Sequence, residues 1–521
     1  MNIKHIRHIL FMLWLSALTA PAVAQRMDYG QYALADERQL WRSAENAAGL
    51  ALDMRDSADN RGVAFFDLRH HSGDYHRVQE GSQQNQLRFF TERYQKIGKY
   101  LYGYGSFDFD MGRVKNRAWS DVLRSYNSNP FISGSSVSGS YDFQNFTLSA
   151  RLASVQLGHF HYGASLYYKV GDLSRLRDPR SRVRLADYKL APSAIYATGR
   201  HRIGVAAHYR RYKEKLVGLT TVQTDPNLKY YVMSGMEYAM GSAGAYSSYS
   251  REYVNHEFGG ELSYGLPACP LMGGRFSTLN TITLRCGTEY AYGQYKYEPG
   301  QWNTAYYAFK TQNRLQRGNL LHAVDASIGY EEGYADQYNQ ELVTEKDGAY
   351  TTQYWQNKMT YKKRYQLQKL DVQVRYRLSW TNGDAVKGYG GLSYDLQRVS
   401  NKHLLATSQL KYAASLFGVE GGCALFGQRL WVKAQVSRRV SHLAQLDLSN
   451  PTTDHAVSVL QPDMEYYCAD YWQGHAEVLY QQPLTVKGQR TLWFAKLYGD
   501  YLKTDNHLGG RQAGLSVGLY Y

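Results

Sequence analysis

The residues that come nearest to a chemical constellation are His70-His71-Ser72-Gly73. A histidine within reach of a serine can take the hydroxyl proton and turn the oxygen into a nucleophile for an ester carbonyl. Two basic groups, Lys362-Lys363-Arg364 and Arg210-Arg211, hold the other candidate chemistry. They would suit an anion-selective constriction, which requires several cations to converge in space. Elsewhere there is no glycine-rich phosphate loop, no paired carboxylates in an acid–base setting and no zinc-ligand spacing. The four cysteines, Cys269, Cys286, Cys423 and Cys468, form no CxxC or Cys/His grouping. No catalytic, cofactor-binding or metal-binding residue is assigned on this basis, and the chain is not expected to be an enzyme.

The elements that must position these residues are signalled first at the two ends of the chain. Lys4 and Arg7 precede an apolar stretch from Ile9 to Ala20, followed by Pro21-Ala22-Val23-Ala24. That is the pattern of a secretory signal peptide, residues 1–24, with cleavage expected after Ala24. Gln25, not a cysteine, stands immediately after the expected cleavage site, so lipid anchoring there is not expected. Export removes nucleic acid as a partner, although the formal charge is +15. Surplus Lys and Arg would instead meet lipopolysaccharide phosphates, line an anion-passing lumen, or simply be solvated in loops. Export also permits disulfides. Cys269 with Cys286 would staple a Gly-rich polar segment and Cys423 with Cys468 would make a second pair, with three connectivities open.

Beyond residue 24 no apolar run is long enough for a transmembrane helix, and the mean hydropathy is −0.53. A membrane barrel gives such an average because lipid-facing and lumen-facing residues alternate. The 48 Tyr and 47 Gly against 11 Pro fit a barrel wall with aromatic girdles. The period of two is plain in residues 157–170, where Phe160, Tyr162, Ala164, Leu166, Tyr168 and Val170 share one face. Val372, Val374, Tyr376, Leu378 and Trp380 repeat it, and Asn382-Gly383 then marks a tight hairpin. The last strand alternates through Leu515 and Val517 to Tyr521, like the terminal strand that barrel-assembly machinery reads.

The fold class expected is therefore all-β, a single transmembrane antiparallel barrel over residues 61–521 with about 14 to 18 strands. Strands are expected near 132–142 among others. Long outer loops are expected near 113–131, 215–253, 297–320, 334–352 and 441–463. Residues 25–60 read as an N-terminal arm or small plug, with helix formers from Leu34 to a stop at Gly49. On strand geometry, His71 and Ser72 point to opposite faces and cannot meet. The spacing also departs from the His-x-Ser-Asn-Gly pattern of barrel-embedded phospholipases, so polar residues at a strand end are the reading that follows.

Several stretches carry a resemblance. They are Leu40-Trp41 with Asn46-Ala47-Ala48-Gly49-Leu50, Gly103-Tyr104-Gly105 leading into the segment from Gly112 to Val122, Pro130-Phe131, and Asp178-Pro179-Arg180. In these the chain resembles an uncharacterised family of outer-membrane β-barrel proteins from the Bacteroidota. The resemblance implies fold and location in the outer membrane, and brings no substrate or catalytic residue. The function expected is a passive channel or facilitator for small solutes. The alternatives are a non-conducting barrel that binds a surface partner and, behind it, a membrane-embedded lipid hydrolase needing a His beside a Ser on the outer wall. The chain is too short for a 22-strand barrel plus a globular plug, which argues against an energised transporter.

Overall fold

A strand with one apolar and one polar face can serve two solvents at once, and a wall of such strands has no edge once its last strand pairs with its first. The computed structural model describes residues 27–54, 59–221, 228–243, 249–293, 296–348, 350–486 and 489–521. The expected signal peptide lies outside them. The first strands are β1 (Arg61–Gly73), β2 (Gln83–Ile97), β3 (Leu101–Arg117), β4 (Ser133–Ser135), β5 (Gly139–Ser154), β6 (Phe160–Arg175) and β7 (Arg182–Thr198). Next come β8 (His201–Leu216), β9 (Lys229–Gly235), β10 (Tyr238–Ala243), β11 (Arg251–Leu271), β12 (Gly274–Tyr292), β13 (Gly300–Arg317) and β14 (Leu320–Asp347). The series ends with β15 (Tyr350–Asn382), β16 (Ala385–His403), β17 (Ser408–Leu425), β18 (Leu430–Asp447), β19 (Tyr471–Val486), β20 (Gln489–Thr504) and β21 (Gly509–Tyr520).

Eighteen of these form one antiparallel sheet, while β4, β9 and β10 make a separate three-stranded one. The large sheet is closed: β8 pairs with β11, and β21 returns to β1 with Val63 opposite Tyr520. Large apolar side chains stay exposed around its circumference, among them Leu68, Leu166, Val205, Leu284, Val419 and Leu497. Such a band is what lipid requires of a wall, so the closed sheet is a transmembrane β-barrel. Among the described residues no helix is long and apolar enough to cross a membrane, and the crossing is made by strands.

The connections sort to the two rims. One rim carries tight turns such as those at Gly199 (φ +50°) and Gly383 (φ +61°), where the left-handed backbone suits glycine. The expected turns at Thr198–Arg200 and Asn382-Gly383 are both there. The other rim carries the long connections at 118–138, 217–250 and 448–470.

Several expectations are corrected. Residues 300–317, expected in a loop, are β13, and only Ser133–Ser135 and the start of β5 are strand within 132–142. The outward face of β13 is apolar only about Tyr307 and Phe309, so alternation there is faint. The expected loop at 334–352 is the paired end of β14 and β15, which run together from Gln337–Tyr361 out to Asp347–Tyr350. The helix expected to run to Gly49 is α1 (Tyr29–Arg38), closed at its start by an Asp28/Gln31 capping box. Two 3-10 turns and the short α2 (Leu50–Asp53) follow. Gly49 is a place of close approach, since a Cβ there would lie 2.4 Å from that of Trp41. The cysteine pairings also fail, for all four thiols are free. Cys269 stands opposite Phe276 and Cys286 opposite Phe258, apart on the β11–β12 ladder. Cys423 lies near the tight-turn rim, whereas Cys468 ends α3 (Gln461–Cys468) at the other.

Candidate functional site

Lumen-facing residues come from the polar face of each strand, and here they meet protein rather than open water. At the tight-turn rim the segment 27–54 lies against the inner wall. Its amides at Glu45 and Asn46 donate to the Glu261 carboxylate of β11 at 3.0 and 3.3 Å. The Asn46 side chain reaches the carbonyls of Ala194 and Val205, both at 3.1 Å. This network accounts for the break in the helix, because Asn46 also accepts from the amide of Ala48 and caps a new turn. Gly163 of β6 lets that turn touch the wall: a Cβ there would stand 2.3 Å from the Ala48 nitrogen.

Charge is matched across the same contact. Lys189 and His208 of the wall hold the two oxygens of Glu45, and His208 Nε2 lies 3.2 Å from Glu257. Burial opposes charge on Glu45, but the hydrogen bonds from His208 and Lys189 outweigh it and bring its pKa down to about 2. Asp53 feels Arg61 and Arg151 only as weaker attractions. Its full burial prevails over the hydrogen bond from the Trp41 amide and raises its pKa to about 7. On α1, Tyr32 donates to Glu92 of β2, Asp36 pairs with Arg61 at 2.8 Å, and Ser379 of β15 donates to Glu37 at 2.9 Å.

At the other rim the described parts of the long connections fold inward. Trp119, Phe131, Met233, Val459 and Tyr467 come from these three connections and are buried together. They pack on Tyr253, Trp302, Tyr365, Leu367 and Tyr412, which face inward from β11, β13, β15 and β17. Arg251 of β11 is 3% exposed and donates to Glu214 at 2.8 Å and to Ser133 Oγ at 3.1 Å. The buried ion pair joins two wall strands, and the cap is tied to it by the Ser133 bond and by the Leu123 amide, which donates to Glu214 at 3.3 Å. Asp463 of α3 accepts from the Val78 amide and from Tyr126, both at 2.8 Å. Its burial lifts its pKa to about 6 against those bonds.

Two lumen cavities adjoin these fillings, about 950 Å³ beneath the cap and about 540 Å³ beside α1. Most cations around them are neutralised in place: Arg210 forks onto Asp187 at 2.8 and 2.9 Å, Arg377 meets Glu420 at 2.7 Å, and Lys433 meets Glu477 at 2.6 Å. Arg285 is in no ion pair among the described residues, its buried Nε has no hydrogen-bond partner, and its guanidinium lies 4.1 Å over the Tyr306 ring. With Trp302 and Thr304 it lines the larger cavity, an aromatic floor with a cation that shares the space with the Glu257 and Glu331 carboxylates.

The residues singled out in the sequence are not brought together. His70 meets Asn85 at 2.5 Å, His71 faces the larger cavity, and Ser72 accepts from Arg511 at 3.2 Å. Lys362-Lys363-Arg364 lies where β15 leaves the wall for the projecting hairpin, remote in the sheet from Arg210 on β8. Sequence reasoning missed Glu261, Arg251 and Arg285, for each is one charge on one alternating strand. Only the register shows which of them faces an inward-folded segment.

The chain belongs to DUF6850, a family of unknown function. The family model matches residues 48–521. No curated protein matches the chain. Similar solved structures include the outer membrane transporter YddB from Escherichia coli, 8% identical over 90% of this chain and 81% of that one, with a TM-score of 0.37. The FrpB iron transporter from Neisseria meningitidis is 8% identical over 90% and 83%, with a TM-score of 0.39. The copper transporter OprC is 7% identical over 88% and 80%, with a TM-score of 0.40. At these values the likeness says nothing of what this chain binds or moves.

Proposed function

We propose that this DUF6850 protein is an outer-membrane barrel shut at rest, which binds a ligand in the cavity under its cap and does not conduct small solutes freely. The observation that carries the reading is the seating of the 27–54 segment, a plug hydrogen-bonded to the wall through Glu261, Ala194 and Val205. A passive, permanently open pore needs a lumen free of such a plug and of the Trp119–Tyr467 cap. Arg285 over Tyr306, with Trp302 beside them, suits a ligand that offers both a flat apolar face and an anionic group. The setting we infer is the outer membrane, reached through the N-terminal leader and assembled by recognition of the last strand. Lipid and lipopolysaccharide surround the exposed apolar band, and the ligand arrives from the long-loop side.

The test is single-channel recording of the purified full chain in planar bilayers with a salt gradient. The plugged reading expects a folded, inserted barrel with no steady conductance. Stable conducting levels from the unaltered protein would overturn it in favour of the passive channel.

A further inference from the structure

The lipid-facing side of the wall holds a histidine–serine pair. On β17 the exposed Phe417 and Val419 mark the outward parity, and Ser415 shares it. Its neighbours across the ladder are Leu396 on β16 and Val440 on β18. The β17–β18 register slips at this point: Ala413 faces Leu443, Ala414 faces Ser441, and His442 is the extra, unpaired residue. A bulge re-aims a side chain, and here the His442 Nε2 comes to 2.7 Å from Ser415 Oγ. The Tyr394 hydroxyl of β16 lies 3.2 Å from the same oxygen.

Other histidines near the exposed face meet phenols, as His201 does Tyr264, His256 does Tyr209 and His322 does Tyr376. Those are pairs of the aromatic girdle. Among the described residues, His442 is the one whose ring nitrogen meets a serine hydroxyl. A groove of about 550 Å³ is walled by Val374, Leu392, Phe417, Val419, Val436 and Trp472 and reaches Tyr394, the residue that also meets Ser415 Oγ. It opens on the surface that faces lipid, so an acyl chain is the occupant its position supplies. Arg438, held by Asp505 at 2.8 and 3.0 Å and lying 5.3 Å from the Trp472 ring, sets a charge at the same groove. Charge and indole together suit the level of lipid headgroups.

We propose that Ser415 and His442 form an acyl-ester hydrolase site on the outer wall, acting on membrane phospholipids whose acyl chain lies in this groove. Ser415 Oγ attacks the ester carbonyl carbon as its proton passes to His442 Nε2. The carbon–oxygen bond to the glycerol breaks, and the leaving oxygen takes that proton from His442. Water then attacks the acyl-serine, gives a proton to His442, and releases the fatty acid as Ser415 recovers its hydrogen. Tyr394 is the nearest donor to the oxyanion that forms in each half. Ser415 is 2% exposed, so the side chains packed over it must part for the carbonyl to reach Oγ, with the Tyr394 hydroxyl staying within reach.

The experiment uses the full chain reconstituted in phosphatidylethanolamine–phosphatidylglycerol vesicles with radiolabelled acyl chains, read as free fatty acid. In parallel, a long-chain fluorophosphonate is applied and the adduct located by peptide mass spectrometry. The proposal expects fatty-acid release, an adduct on Ser415, and release lowered by about 100-fold or more in both S415A and H442A. Circular dichroism and retained lipid insertion establish that each variant is folded. Release no greater than from protein-free vesicles overturns the proposal, with or without an adduct. So does release undiminished in S415A. Neither result bears on whether the lumen conducts.

Discussion

Replacing Glu261 with Ala offers the sharpest measure of how firmly the N-terminal segment is seated. The buried carboxylate accepts from the amides of Glu45 and Asn46 at 3.0 and 3.3 Å and from Ser263 at 3.0 Å. Removing it leaves two segment amides without a partner in a place where water enters poorly. A buried donor so stranded costs about 1–3 kcal/mol, so the pair amounts to about 2–6 kcal/mol of docking free energy. At about 1.4 kcal/mol per decade, the lower figure alone raises the population of the detached segment about 30-fold. The measurement is amide hydrogen exchange by mass spectrometry on peptides covering residues 41–53, in detergent, for the unaltered chain and for E261A. Local opening governs such exchange, so the shift in protection reads the docking energy directly. E261A is expected to exchange at least about 30-fold faster at Glu45 and Asn46, with the barrel strands unchanged. Glu261→Gln, which keeps one acceptor oxygen, falls between the two. Equal protection in E261A and the unaltered chain would refute the reasoning, because the segment would then be held by something other than this carboxylate.

Three further outcomes follow from the same contacts. Gly163→Val puts a side chain where a Cβ would lie 2.3 Å from the Ala48 nitrogen. The 27–54 segment should therefore become readily cleaved in limited proteolysis, and resistance equal to that of the unaltered protein would contradict the close approach. Arg251→Met strands the buried Glu214 carboxylate and should lower unfolding stability by about 3–5 kcal/mol, seen as a drop in thermal midpoint and freer cleavage of the 118–132 connection. For pH, Glu45 falls from its ordinary 4.5 to about 2, so its contribution is full above pH 4.5 and is lost as pH falls toward 2. Asp53 rises from 3.8 to about 7, so its contribution is full below pH 3.8 and is lost as pH rises through 7. Exchange protection of residues 41–53, corrected for intrinsic rates, should therefore peak near pH 4–5 and decline by pH 8; protection that climbs from pH 5 to 8 would contradict the assignment.

The wall was legible because lipid selects one face of every strand. The outward series Phe160, Tyr162, Leu166 and Tyr168 is exposed as the period of two requires, and Asn382-Gly383 turns where its residue types demand. β13 was not legible, since outward Gln301, Asn303 and Thr311 dilute its apolar face. The segments that fill the lumen were the hardest to read. Trp119, Phe131, Met233 and Val459 lie far apart in sequence, and their common burial depends on loops turning back over the mouth. Helix propensity from Leu34 to Gly49 gave way to contacts with Glu261, Ala194 and Val205, a tertiary override of a local preference. Cysteine spacing misled for a related reason: distance along an antiparallel ladder is set by register, and Cys269 and Cys286 fall on different rungs.

The same register argument separates the two faces of the wall as chemical environments. His71 and Ser72 were adjacent in sequence, and adjacency on a strand sent them to opposite sides. Ser415 and His442 are 27 residues apart and meet because one bulge on β18 holds an unpaired histidine against its neighbouring strand. The pair faces outward, while Glu420 and Lys433 on those two strands face the inner cavity. Among the described residues the hydrogen bonds of Ser415 Oγ are those to His442 and Tyr394, both of the wall, so loosening the inner segment through Glu261 should leave the His442–Ser415 distance as it is. A substitution that removes the bulge, deletion of His442, should do the reverse: it would draw Leu443 into register beside Ser441 and dissolve the pair while sparing the contacts of residues 27–54. A chain that responds to both changes alike would show that the two faces are coupled through the sheet, against the independence that this geometry implies.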